Sequence, residues 1–290
     1  MQGTVDGFSY GFVTPLAAFL MACLGGALGL RCTTRSLRKH GLPRLGWLAL
    51  GATAIGSGIW TMHFIAMLGF TVRETPIGYD PAITFASLAV AIVMVGIGIF
   101  IVGYRGATAM ALVTGGTITG LGIATMHYLG MAGMRLPGTL QYDTPTVALS
   151  VVIAVVAATS ALWAAVSVHG FLPSLGGSVA MGTAVTGMHY TGMAAVSVHL
   201  HGGAAAGTGD TASSLLVPML IGPAVFLLLA GLMVMLDPLL VTGDGDRRGP
   251  APAAPYGTGV PAPWRSRSHD DPGTRPSVRG PRRRERTGGR

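Results

Sequence analysis

Apolar residues in this chain neither alternate nor recur every third or fourth position; they run on for twenty residues or more between short clusters of arginine, proline and glycine. A run of about 20 apolar residues is what an α-helix needs to cross the hydrocarbon of a bilayer. Seven such runs are read at 9–30, 46–70, 82–103, 109–134, 146–168, 177–198 and 214–236. The pattern predicts an all-α integral membrane protein with seven transmembrane helices, since helices satisfy their own backbone groups in lipid. A mean hydropathy of +0.57 agrees.

Charge adds an orientation. The connection 31–45 carries Arg31, Arg35, Arg38, Lys39 and Arg44, and 104–108 carries Arg105, whereas the other side has Arg73 and Arg135 near the membrane. The positive-inside rule therefore predicts an N-terminus outside and a cytoplasmic C-terminus, consistent with an odd number of spans. No basic residue precedes Arg31, so the first run lacks the basic start of a cleavable signal and is read as retained. Residues 243–290 hold eleven arginines, eight prolines and nine glycines, with few large apolar side chains. The reading is a membrane domain over 1–236 and a disordered Pro/Gly/Arg-rich cytoplasmic tail over 237–290, with anionic lipid headgroups as an alternative partner for its arginines. No nucleic-acid role is expected.

A repeat sharpens the picture. Met62-His63-Phe64-Ile65-Ala66-Met67, Met126-His127-Tyr128-Leu129-Gly130-Met131 and Met188-His189-Tyr190-Thr191-Gly192-Met193 share one pattern, 64 and 62 residues apart, each with a glycine seven residues before the histidine: Gly56, Gly120 and Gly182. Each unit is two spans long, so the copies are parallel repeats about an axis along the membrane normal, followed by a seventh helix. The histidines share one depth, about seven residues before the outward ends of spans 2, 4 and 6, which are read as the inner helices. Ionisable side chains inside a bilayer are costly and mark function.

Helical spacing places Gly56, His63 and Met67 on one stripe, and likewise Gly120, His127, Met131 and Gly182, His189, Met193. Met62, Met126 and Met188 point about 100° away, to an adjacent side of the same cavity. Imidazole and thioether donors suit copper, especially Cu(I), and no Asp or Glu lies in these spans to favour a hard cation. Three histidines and six methionines exceed one ion's coordination number, so either some stand back from the metal or more than one copper binds. Phe64, Tyr128 and Tyr190 are read as shaping residues, and His199 and His201 as solvated loop histidines. Cys23 and Cys32 suggest neither a disulfide nor a thiolate site.

Met188-His189-Tyr190-Thr191 spells the tetrapeptide after which the MHYT family is named, and the two earlier hexamers resemble that family's variant copies. The resemblance, over about residues 8–236, implies a sensor in a bacterial cytoplasmic membrane that binds copper through these His and Met residues near the outer surface and senses O2, CO, NO or redox state. Many such proteins carry cyclic-dinucleotide or kinase modules. None is read in this sequence, nor any phosphate loop or nucleophile–base pair, so the expectation is a stand-alone, non-enzymatic sensor that signals through a separate cytoplasmic protein. Copper handling without signalling, and bis-histidine haem ligation, are the alternatives.

Overall fold

In the computed structural model, residues 2–7, 9–167, 170–200 and 212–235 are described; the tail 237–290 and His201 lie outside them. Seven long helices follow in order: α1 (Val13–Leu37), α2 (Leu42–Leu68), α3 (Pro81–Arg105), α4 (Ala109–Ala132), α5 (Thr144–Ser167), α6 (Phe171–Ala194) and α7 (Ala212–Met235). Six are long and apolar enough to cross a membrane; α6 is as long, but glycine, serine and threonine dilute its hydropathy and leave it outside that set. The protein is a multi-pass helical membrane domain.

The helix boundaries depart from the hydropathy reading in a regular way. At the basic end α1 continues to Leu37, through residues expected in a loop. A helix persists where arginine stems can lie along neighbouring apolar surface, and Arg35 sits over the Trp47 ring at 4.7 Å. Arg44 is held similarly over Tyr104 at 4.6 Å and donates to the Gly103 carbonyl. At the opposite end the helices stop early, at Leu68, Ala132 and Ala194, and the remaining apolar residues become strands. Hydropathy cannot separate an apolar strand such as Val196–Leu200 from the end of a helix.

These strands correct the all-α expectation. β1 (Val5–Asp6) pairs with β2 (Thr71–Val72), β3 (Gly78–Tyr79) with β4 (Met134–Arg135), and β5 (Gly138–Tyr142) with β6 (Val196–Leu200), all antiparallel. Each ribbon ties the segment around one histidine-bearing helix to another part of the ring. A backbone bond from Gly3 N to the Val198 carbonyl, 2.8 Å, joins the first ribbon to the last.

Below the ribbons, α1 to α6 pack each against the next and α6 against α1, forming a closed ring, while α7 lies on α1 and α2. Glycine permits the closest approaches: a Cβ at Gly25 would stand 2.7 Å from the Gly58 Cα, and one at Gly56 2.8 Å from the Ile92 Cα. Gly56, Gly120 and Gly182 thus seat α3, α5 and α1 against the even helices. They are packing positions at which a neighbouring helix comes close.

Aspartates start two of the odd helices. Asp80 caps α3, accepting from Ile83 N at 3.1 Å, and Asp143 accepts from Thr146 N at 3.0 Å before α5. Asp80 also accepts from Arg135 at 2.7 Å, which staples the β3–β4 ribbon to the cap. That guanidinium, with the Ile83 amide, holds the Asp80 carboxyl below its ordinary range. A depressed carboxylate stabilises the fold at neutral pH and loses that contribution as pH falls through its folded value. Asp80→Ala is expected to lower the Tm more than Asp80→Asn, which keeps a capping oxygen but loses the ion pair. Asp80→Asn should also flatten the fall of Tm on acidification, measured by thermal unfolding across the acid range.

Candidate metal centre

His63, His127 and His189 each lie five residues before the last residue of α2, α4 and α6, slightly nearer the helix ends than expected. At about 1.5 Å per residue that is one and a half turns below the strand layer. The three rings are 1%, 0% and 1% exposed and point to the axis of the ring. Their Nδ1 atoms form a triangle with sides of 3.0 Å (His63–His189), 3.2 Å (His63–His127) and 3.3 Å (His127–His189). Ring centroids stand 4.9, 5.0 and 5.1 Å apart, with planes nearly perpendicular.

This triangle has a parity problem. In a neutral imidazole each nitrogen is either a donor or an acceptor, so two of the three Nδ1 atoms must be alike. At least one side of the triangle then sets lone pair against lone pair or N–H against N–H. No tautomer choice removes the conflict, and a buried polar conflict is costly. A cation at the centre removes it, since all three nitrogens can then present lone pairs inward. The point equidistant from the three atoms lies about 1.8 Å from each in their plane. A small displacement along the axis reaches the roughly 2.0–2.1 Å typical of imidazole–metal bonds. The donor set therefore fits a small metal ion, and nitrogens 3.0 Å apart leave no slot for a porphyrin plane.

The surroundings hold the rings in place. Each histidine meets the edge or face of the aromatic residue that follows it: Phe64 at 4.6 Å, Tyr128 at 4.8 Å and Tyr190 at 5.0 Å. Tyr128 is tied to Ser150 of α5 by a 2.7 Å hydrogen bond, and Trp60 Nε1 donates to Ser87 of α3 at 3.0 Å. Shaping is thus the role the aromatics take. Of the methionines, Met62, Met67, Met126, Met131 and Met188 are buried in the core and Met193 is half-buried. Among the described residues, the set of His, Cys, Asp and Glu able to share an ion is the histidine triad. Cys23 packs against Gly182 instead, and His199 pairs with Thr139 in the β5–β6 ribbon.

The fifth hexamer position makes a contact between repeats. A Cβ at Gly130 would stand 2.6 Å from His63 Nε2, and one at Gly192 2.5 Å from His127 Nε2. Each of these glycines is the floor for the imidazole of the preceding repeat. The signal was present in the sequence, since Ala66, Gly130 and Gly192 are all small. His127 Nε2 has no hydrogen-bond partner among the described residues, so this ring is oriented by steric fit. Gly192→Ala is expected to push the His127 ring out of the triangle at a cost of about 1–3 kcal/mol from overpacking. Gly187→Ala, on the same helix with open space around it, should be neutral or stabilising. Denaturant unfolding and the histidine ring resonances of the two variants compare them.

The geometry coincides with a family assignment. A repeat described as "Bacterial signalling protein N terminal repeat", MHYT, matches residues 56–115 and 120–178, units that open at the same packing glycines Gly56 and Gly120. The chain belongs to this MHYT family. It is 38% identical over 197 residues to the bifunctional diguanylate cyclase/cyclic di-GMP phosphodiesterase MucR of Pseudomonas aeruginosa, covering 66% of this chain and 29% of that protein. It is 35% identical over 234 residues to the cyclic di-GMP phosphodiesterase NbdA of the same organism, covering 76% of this chain and 29% of the relative. Signaling protein YkoW of Bacillus subtilis is 30% identical over 190 residues, 63% of this chain and 23% of its own length. The chain spans less than a third of the length of these relatives. No solved structure matches it.

Proposed function

We propose that this chain is a copper-binding sensor domain of a bacterial cytoplasmic membrane. Its seven helices cross as three parallel two-helix repeats and a seventh span, with the N-terminus outside and α7 ending in the cytoplasm. The observation that carries the reading is the Nδ1 triangle of His63, His127 and His189, whose sides of 3.0–3.3 Å suit one small ion. Copper is the favoured ion because the donors are imidazoles with thioethers nearby, and no acidic residue occurs in any of the seven helices. A monovalent ion on neutral ligands also limits the charge carried in hydrocarbon.

His63, His127 and His189 would hold the metal through Nδ1. Met67, Met131 and Met193, with Met62, Met126 and Met188, supply the soft donors available to complete or flank the site. Copper held there would supply redox chemistry and affinity for a diatomic ligand such as O2, CO or NO. The protein supplies the coupling: the three ligands sit on three different helices, so a change in the triangle's size displaces α2, α4 and α6 relative to one another. The ribbons restrain the outer ends of these helices, so the displacement is read at the basic, cytoplasmic ends. A separate cytoplasmic signalling protein is the partner proposed there; the relatives MucR and NbdA are themselves enzymes of cyclic di-GMP turnover.

Copper handling without signalling is the second reading, and one observation narrows it to binding rather than transport. One turn below the triad stand Ile59, Ile123 and Val185, which offer a passing ion no ligand. Purified protein is expected to hold about one copper per chain, and the His63→Ala, His127→Ala, His189→Ala triple variant close to none, measured by elemental analysis. Equal copper in both would sink the site. Met67→Leu, Met131→Leu and Met193→Leu together should weaken Cu(I) retention against a chelator more than Cu(II) retention.

A further inference from the structure

The axis beneath the triad is layered. Ile59, Ile123 and Val185 each lie four residues before a histidine of the centre, and Ile55, Thr119 and Met181 eight residues before. Between these layers and the flank of α5 lies a cavity of about 20 Å3, its wall completed by Val95, Ile99 and a run of α5 alanines. The cause is legible in the repeat. Ala157, Ala158 and Ala165 stand where α3, 63 residues earlier, has Met94, Val95 and Val102. Smaller side chains at these positions of α5 than of α3 leave the ring underfilled on that side.

The lining decides what can enter. Thr119 is the polar residue of this lining; its Oγ1 packs over Gly98 of α3, it is 4% exposed and its hydroxyl has no hydrogen-bond partner among the described residues. Water needs two to four polar partners, so one hydroxyl does not hold it there, and an ion finds no ligand. A site must offer about 10–15 Å3 on this scale to hold one water, so about 20 Å3 holds one molecule of a few atoms. Beside the cavity a groove of about 670 Å3 opens between α5 and α6, and Ala157, Ala161 and Met181 line both spaces. Val156 and Trp163, 60% and 53% exposed, stand on the groove's outer wall. Met181 is the flexible member of the shared wall, an unbranched side chain able to swing between the two.

We infer that this cavity is a holding site for one uncharged, apolar molecule of diatomic size, which enters sideways from the bilayer core through the α5–α6 groove, about one helical turn below the histidine centre. The bilayer is the source because such molecules concentrate in hydrocarbon and the groove faces it. Delivery to the centre rests on the copper reading; occupancy of the cavity does not. The test therefore uses metal-free full-length protein in lipid nanodiscs with dioxygen as the probe, read as paramagnetic relaxation of isoleucine methyls under rising oxygen pressure. Ile99 and Ile123 are expected to show relaxation that saturates, while Ile97 and Ile221, 41% and 58% exposed, rise linearly with bilayer oxygen. Ala158→Leu, which fills the cavity, should abolish the saturating component, and Ala161→Phe, which narrows the shared wall, should slow its exchange. Linear behaviour at Ile99 and Ile123, or a saturating component unchanged in Ala158→Leu, overturns the proposal. Copper content of the wild type, measured separately, distinguishes that outcome from failure of the metal site.

Discussion

Three imidazole nitrogens brought within 3.3 Å of one another, in a helical membrane interior without carboxylates, are the constraint on which the arrangement depends. The parity of imidazole tautomers leaves at least one repulsive pair in such a triangle, and no neighbouring acid is present to stabilise an extra proton. Proteins tolerate a buried polar conflict when the surrounding structure over-determines it and a ligand relieves it. In the copper-binding reading proposed above a cation is the relief, and the neutrality of the donors argues for one of low charge.

The over-determination comes from the ring. Each histidine is fixed by the aromatic residue that follows it, and two of them rest on a glycine of the following repeat. The repeats are thereby interlocked: α4 provides the floor for His63 of α2, and α6 the floor for His127 of α4. The ribbons instead close each repeat on itself: β1 precedes α1 and pairs with β2 after α2, β3 precedes α3 and pairs with β4 after α4, and β5 precedes α5 and pairs with β6 after α6. None of α2, α4 and α6 can shift without disturbing the triangle.

Departures from threefold regularity have separate consequences. Small side chains on α5 open the space beneath the centre on one side, and α7 lies on α1, α2 and β3. Position 66 is alanine where positions 130 and 192 are glycine, so the three imidazole environments differ. The histidine triad, above an apolar cavity and below a stapled strand layer, has different surroundings on its two sides. That polarity is what a domain needs if it is to relate a chemical event near one surface to a response at the other.

Hydropathy alone determined that this is a membrane protein, because the cost of exposing apolar runs to water is a property of the side chains and needs no tertiary contact. The hexamer spacing determined which three histidines share a depth, because each repeat is two crossings long. Neither could show that Val196–Leu200 is a strand rather than the end of a helix, since an apolar residue satisfies both. Helical spacing placed Gly56, Gly120 and Gly182 on the histidine stripe, but which neighbour comes close there depends on crossing angles, and these glycines pack against α3, α5 and α1. The role of Gly130 and Gly192 was hidden for the same reason: they serve a histidine on another helix, 67 and 65 residues earlier in the chain. The sequence by itself determined the donors and their depth through composition and period; only tertiary structure decided that their Nδ1 atoms meet at one point, because convergence depends on side-chain direction across three separate helices.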